Sequence, residues 1–174
     1  VAESSMTGKG TGDVTAEVLA ERVVGAVRQV AGGDRIDRED IRIHTQTGAA
    51  SSATELVDGV VLGEEPANAN MPRSVEDATA AILDADLEVR TSEADAEYSI
   101  SNVDQLNAAV EAEDTELRRY AETLTDAGVE VLFCTGSIDD RVAGYLADAG
   151  ILAFDSVSSK KSKALAKATG AKHL

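Results

Sequence analysis

The sequence predicts an α/β protein with a parallel β-sheet flanked by helices. Three observations carry that expectation. From Val129 onward, apolar runs alternate with amphipathic stretches: "VEVLFC", "IDDRVAGYLADAG", "ILAFDSV" and "KSKALAKAT". Strand–helix–strand–helix order implies parallel pairing through right-handed crossovers. A longer amphipathic stretch, 101–128, comes before them, and glycines at 150 and 170 close the two later helices. Aromatic residues make up only 3% of the chain, so the core is aliphatic.

In chain order, residues 13–31 carry Leu19, Val23, Val27 and Val30 at helical spacing, with Asp13 or Thr15 as N-cap and Gly32-Gly33 as the stop. "DRIDREDIRIH" supplies a turn and a short strand at 41–43. Gly48 to Ala53 is small and polar and marks a hinge or boundary. "ELVDGVVLGEE" reads as a strand broken at Gly59, and "ANANMPRSVEDA" as a loop around Pro72. "ATAAILDADLEVR" and "DAEYSI" read as extended runs. In the long helix, Asn102 with Gln105 forms a capping-box signature. Val103, Leu106, Val110, Leu117, Tyr120, Ala121 and Leu124 form its apolar stripe, interrupted at Glu113. Residues 48–170 thus read as one α/β domain, with 1–47 a smaller attached segment.

The 32 acidic residues outnumber the 16 basic ones, giving a formal charge of −16 in 174 residues. A surface so acidic repels nucleic acid and anionic membrane alike. Lysine is scarce, with none between Lys9 and Lys160. Scattered acids with few lysines fit a halophilic cytoplasm, where molar salt shortens the Debye length to about 3 Å. No apolar run reaches the roughly 20 residues of a membrane span. The chain starts at Val1 rather than Met, which suggests a piece of something larger.

Residues 6–13, "MTGKGTGD", invite a phosphate-binding reading. A self-sufficient phosphate loop requires G-x-x-x-x-G-K-[ST]. Gly8 precedes Lys9, but the earlier glycine is replaced by Glu3 and the residue after the lysine is Gly10. Other candidates have structural explanations. His44 and His173 lack companion ligands at metal spacing, and Cys134 reads as a buried small hydrophobe. Asp139-Asp140 suits a helix first turn, and Asp84 and Asp86 a solvated strand face. These residues point to no catalytic or metal centre.

Seven segments in register resemble the group II chaperonins, the archaeal thermosome and its eukaryotic relatives: "MTGKG", "TGAASSATELVDGVVL", "MP", "AILDADLEV", "DAEYSI", "GVEVLFCTGSIDDRVAGYLADAGILAF" and "LAKATGA". The resemblance implies a chaperonin apical-domain-like fold with a helical protrusion at about 98–120 and a partial intermediate domain. Residues 1–47 would be the first intermediate segment, 48–160 the apical domain and 161–174 the return segment. It implies client contact through Arg141, Gly144, Asp148, Ile100, Val103 and Leu106, and nucleotide sensing by Lys9 with Gly8 and Gly10. It implies unfolded-protein clients and neighbouring subunits of a double ring as partners. ATP and magnesium would belong to the parent protein, whose phosphate loop and hydrolytic acid lie outside this chain, so the chain itself would carry no cofactor and no ATPase activity. The other reading is a free-standing α/β domain of an acidic cytoplasmic protein that binds or transforms a small molecule.

Overall fold

The computed structural model describes residues 1–31, 35–36, 38, 41–45, 47–48, 50–89 and 103–174. Packing divides the chain into two compact units, Val1–Gly63 and Glu64–Leu174.

The first unit holds helices α1 (Ala2–Met6) and α2 (Ala16–Gln29), which pack against each other. Thr15 caps α2, its hydroxyl accepting a hydrogen bond from the Val18 amide. Of the two expected caps it is therefore Thr15, two residues past Asp13, that serves. Gly32 and Gly33, the expected stop, lie outside the described residues. The buried position on α2 is Ala20, and Val23 from the expected stripe is 42% exposed. Gly25 lies against Leu56, whose side chain would collide with a Cβ there. Residues 41–43 and 55–63 run without ladder pairing, so the strands expected at "IRI" and "ELVDGVVLGEE" are absent from the described residues. A strand-like pattern becomes a strand only when a neighbouring backbone takes its hydrogen bonds. A 3-10 turn, Ser51–Ala53, instead packs with the first unit: its Ser51 hydroxyl accepts from the Asp13 amide at 2.9 Å. The packing boundary therefore falls after Gly63, beyond the small polar stretch that marks a boundary in the sequence.

The second unit is a parallel sheet of order β3-β2-β1-β4, made of β1 (Ala80–Leu83), β2 (Val131–Cys134), β3 (Leu152–Phe154) and β4 (Lys172–His173). Helices α3 (Val103–Asp126), α4 (Asp140–Asp148) and α5 (Ser159–Thr169) complete it. The strand–helix alternation and its parallel pairing match the sequence expectation. "ATAAILDADLEVR" contributes a shorter strand than its apolar run suggests, followed by an isolated parallel bridge between Leu87 and Ile138. "DAEYSI" and the Asn102 cap lie outside the described residues.

Every residue of β2 and β3 is buried, as in a parallel sheet covered on both faces. Ile82, Leu132, Cys134, Leu117, Val142 and Leu146 are fully buried, and Phe133 stacks on Phe154 with ring centroids 5.8 Å apart. Such stacking adds to what area burial alone gives. α4 lies against β3 and α3, and α5 against β1. Beyond the end of β2 the backbone at Gly136 passes so close to Ala85 that a Cβ would stand 2.5 Å from its carbonyl oxygen. No helix among the described residues is long and apolar enough to cross a membrane.

Candidate functional site: the paired helices α3 and α4

α3 has two halves of different character. Leu117, Ala121 and Leu124 are buried at 4 and 3 spacing, which seats the C-terminal half. Val103, Leu106 and Val110 are 69%, 45% and 52% exposed. A 24-residue helix spans about 36 Å. The body of the unit covers only part of that length, in agreement with the protrusion that the resemblance implies, and the apolar stripe is buried only in its C-terminal half.

α4 begins at Asp140, capped by the Asp139 carboxylate, which accepts from the Arg141 amide at 2.8 Å. The cap is thus Asp139, and Ile138 lies outside the helix, half-buried and bridged to Leu87. Val142, Ala143 and Leu146 turn into the core. Of the expected client-contact residues, Arg141 and Asp148 are exposed and Gly144 is half-buried. A Cβ at Gly144 would meet open space. The structure therefore brings Arg141, Gly144 and Asp148 together on the outer part of α4, and leaves Val103 and Leu106 exposed on the free half of α3. Ile100 lies outside the described residues.

The two helices meet through polar contacts that the sequence did not disclose. The Tyr145 hydroxyl donates to the Asp114 carboxylate. The Arg118 guanidinium lies 4.6 Å from the centre of the Tyr145 ring and pairs with Asp114 at 3.2 Å. Arg141 reaches Glu113 and Asp139, each at 3.4 Å. The Tyr145 hydrogen bond, with Arg118 second, holds the Asp114 carboxyl below its ordinary value, and the same bond raises the Tyr145 phenol. In the sequence, Tyr145 falls with Ile138, Val142 and Leu146 on one apolar stripe of this helix. The available signal was Asp114 and Arg118 at i, i+4 facing a residue with a polar tip. Below the pair, Arg118, Ala121, Glu122, Tyr145, Asp148 and Ala149 line part of an open groove of about 460 Å³.

A second acidic group sits beyond the strand ends. Asp86 accepts from the Ser137 amide at 2.8 Å and from its hydroxyl at 2.9 Å, and these bonds lower its pKa. Ser137 also donates to Glu88 at 2.6 Å, and Thr135 donates to Asp84. These acids tie two loops together, so Asp84 and Asp86 are partnered and not merely a solvated face. Cys134 is fully buried, its thiol donates to the Ala85 carbonyl, and burial raises its pKa. A thiol held protonated there is a poor nucleophile.

In the first unit, Lys9 is exposed on the loop between α1 and α2 and makes no ion pair among the described residues. Gly8 before it has φ +77°, whereas Gly10 is outside the left-handed region. Gly12, at φ +67°, lies so near Ser51 that a Cβ would collide with its hydroxyl.

Residues 1–174 match the TCP-1/cpn60 chaperonin family. The chain is 67% identical to thermosome subunit 3 of Haloferax volcanii over its whole length, covering 34% of that protein. It is 40% identical to thermosome subunit beta of Methanothermobacter thermautotrophicus, with 98% of this chain and 32% of that protein aligned. The fold aligns with an open-state monomer of a group II chaperonin from Methanococcoides burtonii at TM-score 0.58 and 29% identity, covering all of this chain and 38% of that one. The chain therefore spans about a third of the length of the curated relatives it matches. From its first residue to its last, it belongs to the TCP-1/cpn60 chaperonin family.

Proposed function

We propose that this chain is the client-binding and built-in-lid portion of an ATP-dependent protein-folding chaperonin, working inside a longer, cytoplasmic subunit of a double ring. The observation that carries the reading is the division of α3. One half is seated on α4, and the other holds Val103, Leu106 and Val110 out to solvent, on the N-terminal side of the Glu113–Arg141 contact. Exposed apolar side chains on α3, with Arg141 beside Glu113 and Asp148 farther along α4 near Glu122, offer an unfolded chain both apolar and polar contact, weak enough to release. Residues 1–47 are assigned to the intermediate domain, 48–160 to the apical domain and 161–174 to a return segment toward the intermediate domain, in which α5 and β4 still pack on the sheet of the second unit. Lys9, between Gly8 and Gly10, acts as a point-charge sensor of the γ-phosphate of ATP held elsewhere in the subunit. ATP and magnesium bind outside this chain, so the chain alone neither binds nor hydrolyses ATP. The family match over the whole chain leaves the free-standing small-molecule domain without support.

The test is charge reversal of Arg141 together with Asp148 in the full-length ring. Capture of a denatured client should change while the rings stay assembled. Unchanged capture would remove α4 from the client surface, leaving Val103 and Leu106 to carry it.

A further inference from the structure

A helix half seated and half free is a lever, and something must fix its direction. The seat of α3 is the stripe Leu117, Ala121 and Leu124. Apolar contact is non-directional: it resists separation and tolerates swinging about the seat. Directional bonds resist swinging. On α3 they come from Glu113 and Asp114, about one turn from Leu117 toward the free half, and from Arg118 adjoining Leu117. All of them meet α4, at Tyr145 and Arg141.

We propose that Tyr145 is a positioning residue: with Asp114 and Arg118, and with the Arg141–Glu113 pair beside it, it clasps α3 where the buried half gives way to the exposed one, so that α4 sets the direction of the exposed half. The inference rests on reading α3 as the protrusion and α4 as the client face. Each member of the clasp has a distinct part. The Tyr145 ring gives Arg118 a flat surface, and its hydroxyl fixes Asp114. Asp114 in turn holds Arg118 over the ring, closing a three-membered contact across both helices. Arg141 belongs to the clasp and to the proposed client face at once. A client carboxylate that draws Arg141 away from Glu113 couples client contact to the pose of α3.

The test uses the full-length subunit, with labelled subunits diluted among unlabelled ones in the ring. Spin labels at Leu106→Cys on the free half and Lys163→Cys on α5 report the direction of α3, and fully buried Cys134 stays unlabelled. The native clasp should give one narrow distance distribution without client or nucleotide. Tyr145→Phe keeps the ring under Arg118 but loses the bond to Asp114, and should broaden the distribution. Asp114→Ala removes both of its bonds and should broaden it further. Asp114→Asn leaves an acceptor for the hydroxyl and should restore much of the narrowness. A narrow distribution in both Tyr145→Phe and Asp114→Ala overturns the clasp. Because this measurement needs no client, it separates from the reading beneath it. Broadening together with unaffected client capture in the Arg141 and Asp148 variant keeps the clasp and counts against the client face. An unchanged distribution together with lost capture does the reverse.

Discussion

Asp86 and Asp114 stand apart from the many acids of this surface because the bonds they accept lower their pKa. Ser137 holds the first, Tyr145 and Arg118 the second, and both carboxyls titrate below the ordinary Asp value. A group whose folded pKa is lowered contributes stability above its unfolded value and loses it as pH falls through the folded one. Acid should therefore weaken the second unit below about pH 4, the ordinary Asp range. Asp86→Asn and Asp114→Asn should flatten that part of a plot of Tm against pH. The raised Tyr145 phenol works with the opposite sign: its contribution is present below the ordinary tyrosine range, about pH 10, and is lost as pH rises past it. Core residues should behave differently. Leu117→Ala leaves a cavity at a fully buried site and should cost about 2–5 kcal/mol in denaturant titration. Leu106→Ala, at a site 45% exposed, should change stability by about 0.5 kcal/mol or less.

At the scale of elements, the helices and the strands of the second unit were legible because each carries a local signal. Asp139 and Gly150 bracket α4, Gly170 ends α5, and β2 and β3 are continuous apolar runs. What failed was what depends on distant partners. "ELVDGVVLGEE" has a strand's composition and no partner backbone among the described residues. β4 is two exposed residues, Lys172 and His173, defined only by pairing with β1. An edge strand without a buried face leaves no periodic trace in sequence. The candidate site divides the same way. The exposed half of α3 agrees with the protrusion that the resemblance implies, whereas its apolar spacing alone continues into the buried half, and the Tyr145–Asp114 contact joins residues 31 positions apart. The loop around Lys9 gives the prediction proper to this scale. In the full-length ring, Lys9→Ala should leave ATP affinity near normal and slow ATP-driven lid closure. Stopped-flow closure kinetics at the native rate would contradict the sensor role.

For the whole molecule, a net charge of −16 makes self-repulsion a large opposing term against a stability of roughly 5–15 kcal/mol. Molar KCl should raise Tm relative to dilute buffer, and a Tm unmoved by salt would contradict the halophilic reading. The 67% identity to a Haloferax thermosome subunit fits a protein built for such salt. The central claim, that α4 and the free half of α3 hold unfolded protein, is tested most directly by site-specific photo-crosslinking. A photoreactive residue is placed in the full-length ring at Arg141, Gly144, Asp148, Val103 or Leu106, and at Lys163 on α5 as a control, and a denatured client is added before ATP. The account predicts client adducts from the five positions on α3 and α4, little from Lys163, and loss of the adducts when ATP drives release. Adducts as strong from Lys163 as from α3 and α4, or none from α3 and α4, would contradict it.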